Sequence, residues 1–358
     1  MASFRKARDE LLVSFCEEII NEDEFLMLYD ANKSKNPEYP FWNYERFTLQ
    51  GKSEAECKTD LRFEKYDIPL LVDVLGLPDE IKCKQGTICD STEGLCIVLK
   101  RLAYPCRYSD LISTFGRPVP EISMISNTVI DFIFEHHGRR ISEWNHTILN
   151  PHALQTYAEA VSNKGAALDN CFGFVDGTVR PICRPNTNQR IVYNGHKRVH
   201  ALKFQSIAIP NGLIANLYGP VEGRKHDAGM LRDSGLYHDL QRFAFSPTGQ
   251  PLCIYGDPAY PLRVHLQAPF RNGILTPPMQ QFNSSMSTVR SSVEWLFGDI
   301  INYFCFLDFK KNLKIGLSQI GKMYIVCALL RNALTCLYGN TTSQYFDLDP
   351  PMLQEYFA

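Results

Sequence analysis

Nowhere in the 358 residues do two cysteines stand in a CxxC pair, although the chain has twelve. Cys83, Cys89, Cys96 and Cys106 come nearest to a cluster, and their gaps match no usual zinc spacing. Free, mostly buried thiols in a reducing compartment are expected instead. Long apolar runs are also missing. The longest near the C-terminus, Met323 to Leu330, lies between Lys322 and Arg331 and is far shorter than the roughly 20 residues of a bilayer span. The N-terminal MASFRKARDE has no apolar core of the signal-peptide kind. An intracellular protein without a membrane partner is expected. No internal repeat or low-complexity tract is found.

Acid is lacking in one place. From Gly177 to Val221 there are six basic residues, Arg180, Arg184, Arg190, Lys197, Arg198 and Lys203, and no Asp or Glu. Residues 1–80 carry 10 Lys+Arg against 18 Asp+Glu, while residues 151–358 carry 19 against 14. A local basic stretch suits an anionic substrate, though from charge alone a solvated face is the plainer explanation. The net charge of −2 argues against strong DNA binding by this chain unaided.

What is present is ordinary for a globular protein, with 45% hydrophobic and 21% charged residues. Residues 1–80 are read as an acidic region of unknown role, in which a helix runs into a polar loop. From Asp90 the pattern is helical. Asp90 and Glu93 suggest a cap, and Leu95, Val98, Leu99 and Leu102 follow at helical spacing. A short helix over Tyr108 to Phe115 stops at Gly116, and Pro120 is well placed to begin a third carrying Ile122, Ile125, Val129, Phe132 and Ile133. Residues 81–150 thus outline a helix-turn-helix, a pattern that a plain helical bundle shares.

Strands begin at Cys171. CFGFVDGTVRP is followed by two more runs joined at Pro210–Gly212, a hairpin signal. A helical stretch from His226, a short strand Leu252–Tyr255 and an amphipathic helix from Ser287 complete residues 151–340, and 341–358 are read as a tail. That helix's stripe is Val289, Val293, Leu296, Phe297, Ile300, Ile301 and Phe304. The order predicts an α/β fold with a mixed sheet.

Three acids stand out. Asp176 and Asp257 each end an apolar strand beside a glycine, and Glu294 lies at the edge of the apolar stripe. Singly, each has a plain structural explanation: an Asp-Gly turn, a turn before Pro258, and a pairing of Glu294 with Arg290 at i, i+4. Together they form the open oxygen-donor set that two divalent ions require for phosphodiester cleavage.

The runs GFVDGTVRP, GPVEGRKHDAGMLRDSGL, YGDPAYPL and VRSSVEWLFGDI resemble the PIF/Harbinger family of DDE transposases and their domesticated relatives, the Harbinger transposase-derived nucleases. The likeness spans roughly residues 90–338. It implies a ribonuclease H-like catalytic fold preceded by a helix-turn-helix region, with Asp176, Asp257 and Glu294 as catalytic, metal-binding triad. It also implies two Mg²⁺ or Mn²⁺ ions, a DNA substrate and a nuclear location. His226 and Asp227 of the GRKHD motif are accessory candidates, though Asp227 could simply cap a helix. Val179 replaces a histidine that many members carry after Asp-Gly-Thr. The implied activity is DNA hydrolysis, followed in a full transposase by attack of the freed 3′ hydroxyl on target DNA. Arg180 to Lys203 would follow the DNA backbone. Base reading would fall to Ser123, Met124 and Asn127 or to a separate Myb-like partner, and a homo-oligomer is expected. The rivals are a catalytically idle DNA-binding or scaffold protein and a phosphohydrolase acting on small molecules.

Overall fold

The computed structural model describes residues 4–32, 39–271 and 273–358, with all their side chains except those of Phe4, Arg5, Lys6, Val293, Glu294 and Phe297. Helices α1 (Phe4–Cys16) and α2 (Glu22–Asn32) open the chain, followed by α3 (Glu54–Leu61) and α4 (Asp67–Val74). The polar loop expected after α2 falls partly at 33–38, outside the described residues. Phe15 and Phe25 stack α1 on α2 with centroids 5.1 Å apart. Val13, Ile19 and Met27 remain exposed.

A small hairpin, β1 (Glu80–Lys82) and β2 (Ile88–Asp90), leads into α5 (Ser91–Ala103). As expected, the Asp90 carboxylate accepts the Glu93 amide at the start of α5, 2.8 Å away. α6 (Ile112–Phe115) stops at Gly116 (φ 58°), and α7 runs Val119–His137. Between them Arg117 makes a buried fork on Glu93, with bonds of 2.6 and 2.7 Å. The turn is therefore fixed to α5. Of the base-reading candidates on α7, Asn127 is exposed while Ser123 and Met124 are half-buried. α8 (Arg139–Ser142) and α9 (Pro151–Asn163) follow, the latter capped by Asn150 with Pro151 in its first turn.

The sheet is built from β3 (Cys171–Pro181), then α10 (Gln189–Val192), β4 (Tyr193–Asn194), β5 (Val199–Ala208) and β6 (Ile214–Glu222). Next come α11 (Asp227–Asp233), α12 (Leu236–Phe243), β7 (Cys253–Tyr255) and β8 (Leu266–Gln267). β5 and β6 form the expected hairpin, Ala208 opposite Ile214. Across the sheet the order is β6-β5-β3-β7-β8, with β4 extending the end of β5. β3 is antiparallel to β5 and parallel to β7, and β7 is parallel to β8. This is the mixed sheet expected. The helical stretch read after His226 is two helices, because Gly235 turns the chain at φ 71°.

The last long helices are α13 (Pro277–Tyr303) and α14 (Ile320–Tyr338), followed by α15 (Thr341–Phe346) and α16 (Leu353–Phe357). α13 begins ten residues before the expected start, since the Pro277-Pro278 pair occupies the first turn, where proline is tolerated. Met286, Val289, Leu296 and Ile300 are its buried stripe, with Phe304 buried just past its end and Ile301 half-buried; the expected members Val293 and Phe297 lie outside the described side chains. α14 is long and apolar enough to cross a membrane by length and composition, yet 78% of that stretch is buried inside the fold. It behaves as a core helix. Its Asn332, fully buried, accepts from the Ile214 amide and donates to the Ile214 carbonyl, both at 2.9 Å. At its start Gln319 and Lys322 hold Asp131 of α7. One continuous hydrophobic core results, running from Phe47 to Phe357. Residues 341–358, read as a tail, contribute Phe346, Leu353 and Tyr356 to it.

All twelve cysteines are free thiols, and Cys83, Cys89, Cys96 and Cys106 are buried. Burial pushes the Cys89 thiol up to about 12, as expected of a thiol held in apolar surroundings.

Candidate active site

Apolar residues Cys171, Phe172, Phe174 and Val175 fix β3 in the centre of the sheet. Asp176 follows, and the chain does not turn there. The expected Asp-Gly turn is absent, because Asp176 pairs with Ser206, Gly177 with Gln205 and Thr178 with Phe204, and the ladder continues to Pro181. Turn propensity has lost to the continuous pairing of Phe174–Pro181 with β5. The strand that does end is β7. Its last partner on β3 is Phe174, opposite Tyr255. Two residues further along each strand stand Asp176 and Asp257. Neighbouring strands run about 4.8 Å apart, so both acids leave the sheet at one level, beside the place where β7 stops.

A tight turn shapes the Asp257 side. Asp257 Oδ1 accepts from the Ala259 amide at 2.9 Å, and the Tyr260 amide reaches the Asp257 carbonyl at 3.2 Å. The turn folds Tyr260 back onto Gly256. A Cβ at Gly256 would lie 2.7 Å from Tyr260 Cδ2 and 2.9 Å from Val175 Cγ1. Only glycine fits. Gly256→Ala is expected to cost about 1–3 kcal/mol in denaturant unfolding, by overpacking, and wild-type stability would contradict this packing.

α13 covers the face bearing Phe174 and Asp176. Its Phe282 ring meets Tyr255 at 6.4 Å, and Arg290 Nη2 donates to Asp176 Oδ1 at 3.1 Å. The pair is largely shielded, the side chains being 18% and 28% exposed. Glu294 occupies the next turn of this helix; its side chain lies outside the described residues.

The opposite face carries Asp227. Successive strand residues point to opposite sides, and Asp227 lies against Gly177, where an added Cβ would be 2.6 Å from its Oδ1. Asp227 is not the cap of α11; that position is His226, which is exposed. Its carboxylate is taken by Lys203, whose Nζ is 2.6 Å from Oδ1 and also donates to the Lys225 carbonyl at 2.8 Å.

The six basic candidates therefore separate. Lys203 is buried and turned inward to Asp227. Arg180 is half-buried and packs on Tyr324, its Nε 3.3 Å from the phenol oxygen. Arg184, Arg190, Lys197 and Arg198 are exposed. Strand alternation assigns Lys203 to the face of Gly177, but the sequence alone does not say which face is covered.

Two residues unmarked in the sequence reading join the site. Arg290 was weighed only as a partner for Glu294. Tyr260, 3% exposed, has a hydroxyl with no hydrogen-bond partner among the described residues. Burial pushes this phenol up, and the charges of Asp227, Asp176 and Asp257 push it further, with Arg290 opposing. Among the described residues no three His, Cys, Asp or Glu side chains form a group able to hold a metal ion. The described donors at the β7 end are the two carboxylates of Asp176 and Asp257.

Neither a curated protein nor a solved structure matches the chain. Residues 175–332 match the family described as DDE superfamily endonuclease. The matched stretch opens at Val175 and takes in Asp176, Asp257, Arg290 and the helix bearing Glu294. This similarity supports a transposase-like nuclease for that part of the chain.

Proposed function

We propose that the chain is a metal-dependent DNA endonuclease of the DDE transposase type, with Asp176, Asp257 and Glu294 as its acids. The observation that carries this reading is the β3–β7 register, Phe174 opposite Tyr255, from which Asp176 within β3 and Asp257 just beyond the end of β7 lie at one level. Three antiparallel strands with two parallel ones added beyond β3 is the order expected of a ribonuclease H-like sheet. The PIF/Harbinger motifs support the narrower family.

Mg²⁺ or Mn²⁺ suits the donor set. Mg²⁺ takes one or two carboxylates and completes its shell with water and phosphate. Asp176 and Asp257 would hold the ions, with Glu294 joining from α13. When bound, a divalent pair supplies an activated water and offsets charge on the leaving 3′ oxygen. Arg290 neutralises Asp176 in the resting fold and keeps α13 against the sheet. The exposed Arg184, Arg190, Lys197 and Arg198 would contact the DNA backbone without reading sequence. A Myb-like partner or α7 would read bases, and a homo-oligomer acting in the nucleus fits this role. The test is nicking of plasmid DNA by purified protein in Mg²⁺ or Mn²⁺, abolished in acid variants.

One observation favours the idle DNA-binding reading: Asp176 already has a cation, Arg290. Arg290→Ala should bind Mn²⁺ about 3–10-fold more tightly than wild type in calorimetry, since a shielded ion pair is worth roughly 1 kcal/mol. An active enzyme binds Mn²⁺ with Arg290 in place; an idle one binds it only after the substitution.

A further inference from the structure

Helices α1 and α2 form a hairpin that takes no part in the core. No residue from 7 to 32 is buried, and the core begins only at Phe47. The five residues between the helices, 17–21, make the pair antiparallel, and Phe15 meets Phe25 beside that connection. Asn21 caps α2, its side chain accepting the Glu24 amide at 2.9 Å. At 13 and 11 residues, the two helices are marginal by themselves. Yet their apolar content exceeds what one contact uses. Phe25, Leu26, Met27, Leu28 and Tyr29 follow one another, and at about 100° per residue they ring α2 completely. A helix apolar on all sides is ordinarily a buried one. Here Leu26 and Met27 are 53% and 70% exposed, and Leu12, Val13 and Ile19 are exposed as well.

Charge indicates what lies over this surface. Every base from residue 1 to 33 belongs to the open end of the hairpin: Arg5, Lys6 and Arg8 begin α1, and Lys33 follows the last residue of α2. Asp9, Glu10 and Asp30 offset three of them, Asp9 through an exposed pair with Arg8. The connection end carries Glu17, Glu18, Glu22, Asp23 and Glu24 and no base. A helix of this length holds its ends about 15–20 Å apart, beyond the roughly 10 Å over which salt screens, so the two ends act separately. We propose that the α1–α2 hairpin is the surface that binds a second copy of this chain, two hairpins packing antiparallel about a two-fold axis as a four-helix bundle. The same apolar residues are then covered on both copies, and each basic end lies on the acidic connection of the other. A copy laid parallel would set acid on acid. The inference goes beyond the reading of Asp176 and Asp257, and its test needs neither metal nor DNA.

Sedimentation equilibrium of the full chain at low salt should show a dimer. Met27→Glu enters a two-fold interface twice and should weaken it by at least about 100-fold, because two apolar burials are lost. The melting temperature of the core should not move, since the hairpin lies outside it. A charge exchange then tests the direction of packing. Arg5→Glu/Lys6→Glu/Arg8→Glu in one chain and Glu17→Lys/Glu18→Lys/Glu22→Lys in another should each weaken self-association about 10-fold or more, and an equal mixture of the two should regain the dimer. A monomeric wild type would overturn the proposal and leave a different protein as the cover of the hairpin. A dimer indifferent to Met27→Glu, or a mixture no tighter than its two components, would overturn it as well.

Discussion

Asp257→Asn is expected to leave the fold intact and to slow DNA nicking by about a thousandfold or more. Asparagine keeps the Oδ1 acceptor that takes the Ala259 amide, so the turn after β7 survives and only the charge is lost. Cation-supplied charge stabilisation is worth several kcal/mol, and each 1.4 kcal/mol or so is a factor of ten in rate. Asp176→Asn should lose cleavage to a similar degree. It also removes the ion pair to Arg290, so its stability will fall where that of Asp257→Asn does not. Thermal melting beside a nicking assay separates the two effects. Wild-type cleavage by both variants would end the assignment of these acids.

The largest effect on stability is expected at Lys203. Its side chain is 7% exposed and meets Asp227, itself 23% exposed, at 2.6 Å. Lys203→Met leaves the Asp227 carboxylate shielded and uncompensated against Gly177. Removing one partner of a buried pair costs about 3–5 kcal/mol, and the partial exposure of Asp227 sets the lower end, about 3 kcal/mol. Combining it with Asp227→Asn removes the stranded charge while keeping its shape, and should restore more than half of the loss. Urea unfolding of the three variants measures both numbers. If the double variant is no better than the single, the cost comes from lost packing of the lysine stem.

Much of this was legible before any coordinates. The Asp90 cap, the Leu95 to Leu102 stripe, the Gly116 stop and the Pro210–Gly212 hairpin were local signals, and local physics decided them. Asp176 and Asp257 were both legible as acids beside a glycine after an apolar run, although only the second stands where a strand ends. What lay beyond reach depended on pairing between distant segments. Asp176-Gly177 has turn chemistry, but β5 continues opposite it, so the strand runs on. The six basic residues formed one stretch in sequence, whereas strand alternation and the position of α11 sent Lys203 inside. Tyr260 gave no signal of its own, because the lack of a partner for its buried hydroxyl among the described residues depends on how distant segments pack.

α14 joins α7 through Asp131 at one end and β6 through Asn332 further along. Its apolar body is shared by the helices before β3 and by the sheet, within one core. A segment of DNA touched by α7 would therefore lie at a reach from Asp176 that the fold itself fixes. The molecule would measure as it cuts, working as a ruler where two domains on a linker would work as a tether.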